Sequence, residues 1–232
     1  NNVVASIANS TVWFAVIFYV FLQSNSVFAT SLISGLFLLL TATTGFWFGS
    51  IVDHHRKKDV MLWSSIFSLI IYVTGYFLYI NAPAGAFTVV ESWYLWIFVT
   101  LLLMGVIAGN IRNVAMPTMV TMLVESASRD KANGLVGTSS GIGFMVTSVI
   151  SGYLVGHSGM LGVFIFTIIA TILSLVHLIF VPVSEKKLVH LEGVSRKVDI
   201  KGTLAVINAI PGLLPLILFS TFNNFLGGVF MS

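Results

Sequence analysis

Apolar residues fall in long runs along this chain. The runs show neither the strict alternation of a half-buried strand nor the narrow apolar stripe of a surface helix. They lie at about 2–22, 27–52, 60–80, 94–123, 133–156 and 160–183, with a last one starting near Thr203. A hydrocarbon core ~30 Å thick is crossed by ~20 helical residues, and each run is about that long or longer. Backbone N–H and C=O groups cannot go unpaired in lipid, so each run is expected to be helical. Membrane β-strands would be ~10 residues long and would alternate, which these do not. The expected fold is an all-α polytopic membrane protein: a six-helix bundle over 1–183, a charged linker over 184–202 and a seventh helix over 203–232. The chain starts and stops close to or within apolar runs, so a fragment of a longer protein is expected.

Composition agrees. Hydrophobic residues make up 57% and charged residues 8%, with a mean hydropathy of +1.01. A soluble domain carries ~25% charged residues, so the expected partner of this surface is the lipid bilayer. Cysteine is absent, which removes disulfides and thiolate metal sites; no metal, cofactor or nucleic-acid partner is expected.

Where the charges sit says more. Of eleven Lys and Arg, ten lie in alternate connections: Arg56, Lys57 and Lys58; Arg129 and Lys131; and Lys186, Lys187, Arg196, Lys197 and Lys201. The intervening connections "QSNS", "NAPAGAFTVVES" and "GHSG" hold none. That alternation is the positive-inside pattern and puts the N-terminus in the cytoplasm. Tyr76, Tyr79, Trp93, Tyr94 and Trp96 then suit an outer aromatic belt, and Trp47 and Trp63 an inner one.

The stretch "GTSSGIG" at 137–143 resembles a dinucleotide-binding turn but lies within an apolar run. No acidic residue follows at ribose distance; after Lys131 the next charge is Glu185. These small residues suit close helix packing instead. Gly137 with Gly141 and Gly152 with Gly156 form small-xxx-small pairs on the fifth segment. Gly45 with Gly49, and Gly105 with Gly109, do so on the second and fourth.

Between the second and third segments lies "GSIVDHHRKKDVM", residues 49–61. Gly49, Asp53, Lys57 and Lys58 match the signature loop of the major facilitator superfamily, roughly G-x-x-x-D-R/K-x-G-R/K-R/K. His54 stands where a basic residue is usual, and Arg56 where glycine is. "PTMVTMLVESASRDKANGL", residues 117–135, resembles the crossing from the fourth to the fifth helix of facilitator exporters, and Arg112 falls where many drug:proton antiporters carry an arginine. The chain thus resembles the N-terminal half of such a transporter, close to bacterial multidrug exporters. It departs in the fifth segment, where Ser148 stands near a proline usual in drug antiporters.

The resemblance implies a twelve-helix plasma-membrane protein that moves small drug-like or metabolite molecules by alternating access, export being the commoner direction, with a proton or ion as coupling partner. It implies a conformational switch at Gly49, Asp53, Arg56, Lys57 and Lys58, and a C-terminal half that completes the site. Polar residues of the first, fourth and seventh segments become cavity candidates: Asn9, Ser10, Asn110, Arg112, Asn113, Asn223 and Asn224. Arg112 is costly at membrane depth, ~3 kcal/mol on insertion scales. No Asp or Glu lies within an apolar run, so its partner is expected to be the C-terminal half, water in a cavity or the substrate, the other reading being backbone carbonyls or neighbours such as Asn110 and Asn113. Its side chain leans toward the helix start, away from the inner leaflet. His177 is expected to pack, His54 and His55 to be solvated, and Pro211 and Pro215 to kink the seventh helix. Leu188, Leu191, Val194 and Val198 give the linker the spacing of an interfacial helix.

Rival readings have less support. A seven-helix receptor would not start in the cytoplasm, and the last segment has no Lys for retinal. A membrane enzyme would need paired carboxylates or a ligand cluster at depth. No Gly-x-x-x-x-Gly-Lys-Ser/Thr loop supports a primary pump.

Overall fold

The computed structural model describes residues 1–183 and 200–231, with side chains described to Asn223. The expected interfacial helix of the linker, and the side chain of Asn224, lie outside the described residues. Two compact units form, Asn1–Leu191 and Glu192–Ser232.

The first unit begins with α1 (Asn2–Ser24) and α2 (Val27–His54), joined by a tight connection. Asn25 takes the left-handed conformation that ends many helices (φ 50°) and donates its N–H to Phe21 O. Ser26 caps α2, its hydroxyl accepting from the Ala29 N–H at 3.2 Å. Then come α3 (Lys57–Ile80), α4 (Trp93–Gly109), α5 (Ile111–Leu123) and α6 (Arg129–Phe180). The third helix thus starts at Lys57, earlier than expected. The connection from α2 is short, and Lys57 is buried.

A straight helix of 52 residues would run ~78 Å, over twice the hydrocarbon core. It is not straight. Gly159, at φ 58° and ψ −153°, breaks α6 into arms 129–158 and 160–180. Contacts give their directions. Gly143, Ser151 and Gly152 lie beside Ile7, Thr11 and Phe18, so the first arm runs parallel to α1. Gly159 lies beside Tyr79, and Ile179 and Val181 beside Lys58, so the second arm runs back along α3. Each arm is about as long as a membrane crossing, with the reversal at Gly159.

Taken by length and composition, α1, α2, α3, the pair α4–α5 and α6 are apolar enough to cross a membrane. Among the described residues there is no strand.

The core sits in two layers. Near the Gly159 end, Tyr19, Tyr79, Phe87, Phe98 and Phe164 interlock, with Phe87 and Phe98 centroids 4.9 Å apart. Phe87 comes from the connection 81–92, which folds inward rather than lying loose. Trp96 donates to Val90 O at 2.8 Å, and Tyr94 to Leu78 O at 3.1 Å. Tyr79 therefore belongs to the core more than to a belt, whereas Trp93, Trp47 and Trp63 are exposed as a belt requires. Near the Lys58 end, Val52, Val60, Met61, Ile111, Ala115 and Leu178 form the second layer.

The second unit departs from one continuous helix. Here α7 (Ile200–Ala209) and α8 (Leu213–Met231) are bent by 103°. Pro211 and Gly212, the latter at φ 82°, form the turn. At ten residues α7 is ~15 Å long, too short to span, so α8 is the membrane-length piece.

Candidate functional site

Three polar residues of α1, Ser6, Asn9 and Ser10, fall at spacings of three and four that share one helix face. They face the junction of α4 and α5. There the backbone tightens locally: Asn110 N–H is shared between Val106 O and Ile107 O, both at 3.1 Å, and Asn113 N–H reaches back only to Asn110 O at 2.9 Å. One turn on, Pro117 has no N–H to offer the Asn113 carbonyl. A short 3₁₀-type segment inside a membrane helix often marks a hinge. The expected single run at 94–123 is therefore one span with an irregularity at membrane depth.

Two neighbouring helices satisfy the carbonyls there. Asn9 Nδ2 donates to Val106 O at 3.0 Å and to Asn110 Oδ1 at 3.1 Å. Tyr72 Oη donates to Asn9 Oδ1 at 2.6 Å, and Ser68 Oγ to Gly105 O at 2.8 Å. Glycine makes this approach feasible. A Cβ at Gly105 would sit 2.8 Å from Tyr72 Cε1 and Ile71 Cγ2, and one at Gly109 would strike the Asn9 amide.

Arg112 lies one turn toward the Lys58 end. It is 4% exposed. Its Nη2 donates to Ser65 Oγ at 2.6 Å and its Nη1 to Asn1 Oδ1 at 3.1 Å. Its partners among the described residues come from α3 and the start of α1, not from Asn110 and Asn113. It also lines the cavity beside α1. Both partners are neutral.

Between α1 and the α4–α5 junction remains a cavity of about 30 Å³, lined by Ser6, Asn9, Ser10, Asn110, Arg112 and Asn113 among others. That is room for a water or two. Of the expected cavity residues, Asn9, Ser10, Asn110, Arg112 and Asn113 are together here. Asn223 is exposed on α8.

The expected switch residues lie at the other end of α2. Asp53 is exposed on the last turn, where the helix dipole disfavours an anion by ~0.3–1 kcal/mol. Among the described residues no hydrogen bond or ion pair reaches it. Arg56 and Asp59 form a loose exposed pair at 3.9 Å. Lys58 Nζ donates to Ile179 O and Val181 O, closing the end of α6. His54 and His55 are not merely solvated. Their Nδ1 atoms lie 2.7 Å from Ser50 O and 3.0 Å from Ile51 O, where an N–H satisfies terminal carbonyls of α2. His177 is exposed, 3.4 Å from the Asn1 amide nitrogen.

The remaining packing glycines do not pack among the described residues. A Cβ at Gly45, Gly49, Gly137, Gly141 or Gly156 meets nothing within 4 Å, and one at Gly152 only Phe18 at 4.0 Å. These positions lie on open faces of α2 and of arm 129–158. Sequence reasoning missed Ser65, Ser68 and Tyr72. Their spacing of three and four on an otherwise apolar helix was the available signal.

The described helices are long and apolar enough to cross a membrane, and they enclose a hydrogen-bonded polar cavity. The whole chain, residues 1–232, matches the family described as Major Facilitator Superfamily, and it belongs to that family. No curated protein and no solved structure matches it.

Proposed function

We propose that this chain is the N-terminal part of a secondary transporter that exports small drug-like or metabolite molecules by alternating access. The observation that carries the reading is the polar cavity built on α1 and α4–α5 around a buried arginine. A drug-sized ligand needs ~300–1,000 Å³, so this cavity is one wall of a larger site. The other wall belongs to the C-terminal half, at the interface between repeats where transporter sites form. The open small-residue faces of α2 and arm 129–158 are the surfaces we assign to that half. From the cation-rich connections we assign the Lys58 end, and the N-terminus, to the cytoplasm of a bacterial cell.

The unpaired, exposed Asp53 supports a latch. In one state it meets solvent; in the other it pairs with the basic loop or with a helix N-terminus of the second half. No acidic residue lies in the apolar runs of this part, so these runs supply no carboxylate for coupling a proton or ion. The test is efflux of a panel of cationic, neutral and anionic dyes from cells carrying the full-length protein. Gradient-dependent efflux is expected, with Arg112→Ala and Asp53→Asn each expressed normally and losing at least about tenfold in rate. Efflux unchanged in both variants overturns the reading.

A further inference from the structure

The wall of the cavity that this chain supplies has a definite electrostatic sign. All eight acidic residues lie outside the apolar runs: Asp53, Asp59, Glu91, Glu125, Asp130, Glu185, Glu192 and Asp199. One cation, Arg112, stands inside them, and it lines the cavity. Its two hydrogen-bond partners, Ser65 Oγ and Asn1 Oδ1, are neutral, so the charge is solvated but not cancelled. A guanidinium carries five N–H donors, and these contacts use two. Around it, the Ser6, Ser10 and Asn113 side chains and the Asn110 amide nitrogen make no hydrogen bond among the described residues. Asn9, by contrast, is fully committed to Tyr72, Val106 and Asn110. The structure therefore separates a rigid scaffold, Asn9 with Tyr72 and Ser68, from a set of free donors beside an uncompensated positive charge.

We infer that the transported species is an anion, bound through a carboxylate or phosphate oxygen beside Arg112, with Ser6, Ser10 and Asn113 as hydrogen-bond donors. This rests on the cavity being the transport path. The chemistry follows from the charge balance. A monoanion entering the cavity supplies the charge that the helices withhold. A lipophilic cation would add a second positive charge at low effective permittivity, where repulsion over ~12 Å already costs about tenfold in binding.

The test measures the field without assuming a substrate. A single cysteine replaces Ser10 in an otherwise cysteine-free full-length protein in membrane vesicles, and a second protein carries Ser158→Cys as an exposed reference. Each is labelled with an anionic sulfonatoethyl and a cationic trimethylammonioethyl methanethiosulfonate, with rates normalised to a free thiol in solution. At position 10 the anionic reagent is expected to react at least about tenfold faster than the cationic one. Arg112→Gln is expected to abolish that preference and Arg112→Lys to keep it. Benzoate or inorganic phosphate is expected to slow labelling, and which of them does so tells carboxylate from phosphate. A normalised ratio at or below one with Arg112 present, a ratio unmoved by Arg112→Gln, or protection by tetraphenylphosphonium alone overturns the anion assignment while leaving the transport path standing. No labelling at position 10 by either reagent, with position 158 reactive, overturns the transport path itself and the anion assignment with it.

Discussion

Asn9 and Gly109 show how single residues set the geometry of the cavity. The amide of Asn9 occupies the space a Cβ at Gly109 would need, and it is tied on both sides, to Tyr72 and to Val106 and Asn110. Two substitutions separate packing from hydrogen bonding. Gly109→Ala forces α1 and α4 apart and is expected to cost ~1–3 kcal/mol, the usual cost of overpacking. Tyr72→Phe removes one hydrogen bond, and such bonds average ~0.6 kcal/mol inside membranes. Thermal unfolding of the purified protein in detergent should therefore rank Gly109→Ala as the more damaging. The reverse order would mean that the polar network, not close approach, holds the helices.

At the scale of elements, glycines in one helix have opposite duties. Gly159 sits at φ 58° and ψ −153°, a region nearly closed to other residues, and turns α6 back on itself. Gly159→Ala is expected to destabilise by ~1–3 kcal/mol. Gly141, on the arm before it, meets nothing within 4 Å and is plainly helical. Gly141→Ala there removes only the flexibility of glycine, worth up to ~1 kcal/mol of helix propensity, and is expected to leave stability unchanged or raised. Comparing the two melting midpoints checks both signs. A fall with Gly141→Ala as large as that with Gly159→Ala would show that the open face is packed after all.

For the whole molecule, the asymmetry of burial is the main feature. Over the 28 residues of α2 the buried ones are Ala29, Ile33 and Val52. Meanwhile α1, which touches both arms of α6, buries a residue on nearly every turn. In a lipid solvent an exposed apolar face is stable as it stands, so the open side of α2 costs nothing until small residues there find a partner. Topology is the matching prediction. Epitope tags inserted after Gln23, Ala84 and Ser158 are expected outside the cell and one beside Lys58 inside, read by antibody access in intact and permeabilised cells. Tags on a common side would cancel the orientation drawn from the cations.

Length, hydropathy and the sorting of cations already determined that the chain is a helical membrane protein, and they set most of the helix positions. Those properties are local or one-dimensional: a run is long enough for the bilayer or it is not, and a lysine lies at one end or the other. The sequence also pointed to Asn9, Ser10, Asn110, Arg112 and Asn113, since polar residues are conspicuous in apolar runs. Only the tertiary structure decided their partners. Whether Arg112 meets Asn113 on its own helix or Ser65 on another depends on helix rotation, and so does which glycines touch a neighbour and which face open space. Rotation is set by the summed small contacts of side chains from distant parts of the chain, and no spacing along a single helix records it.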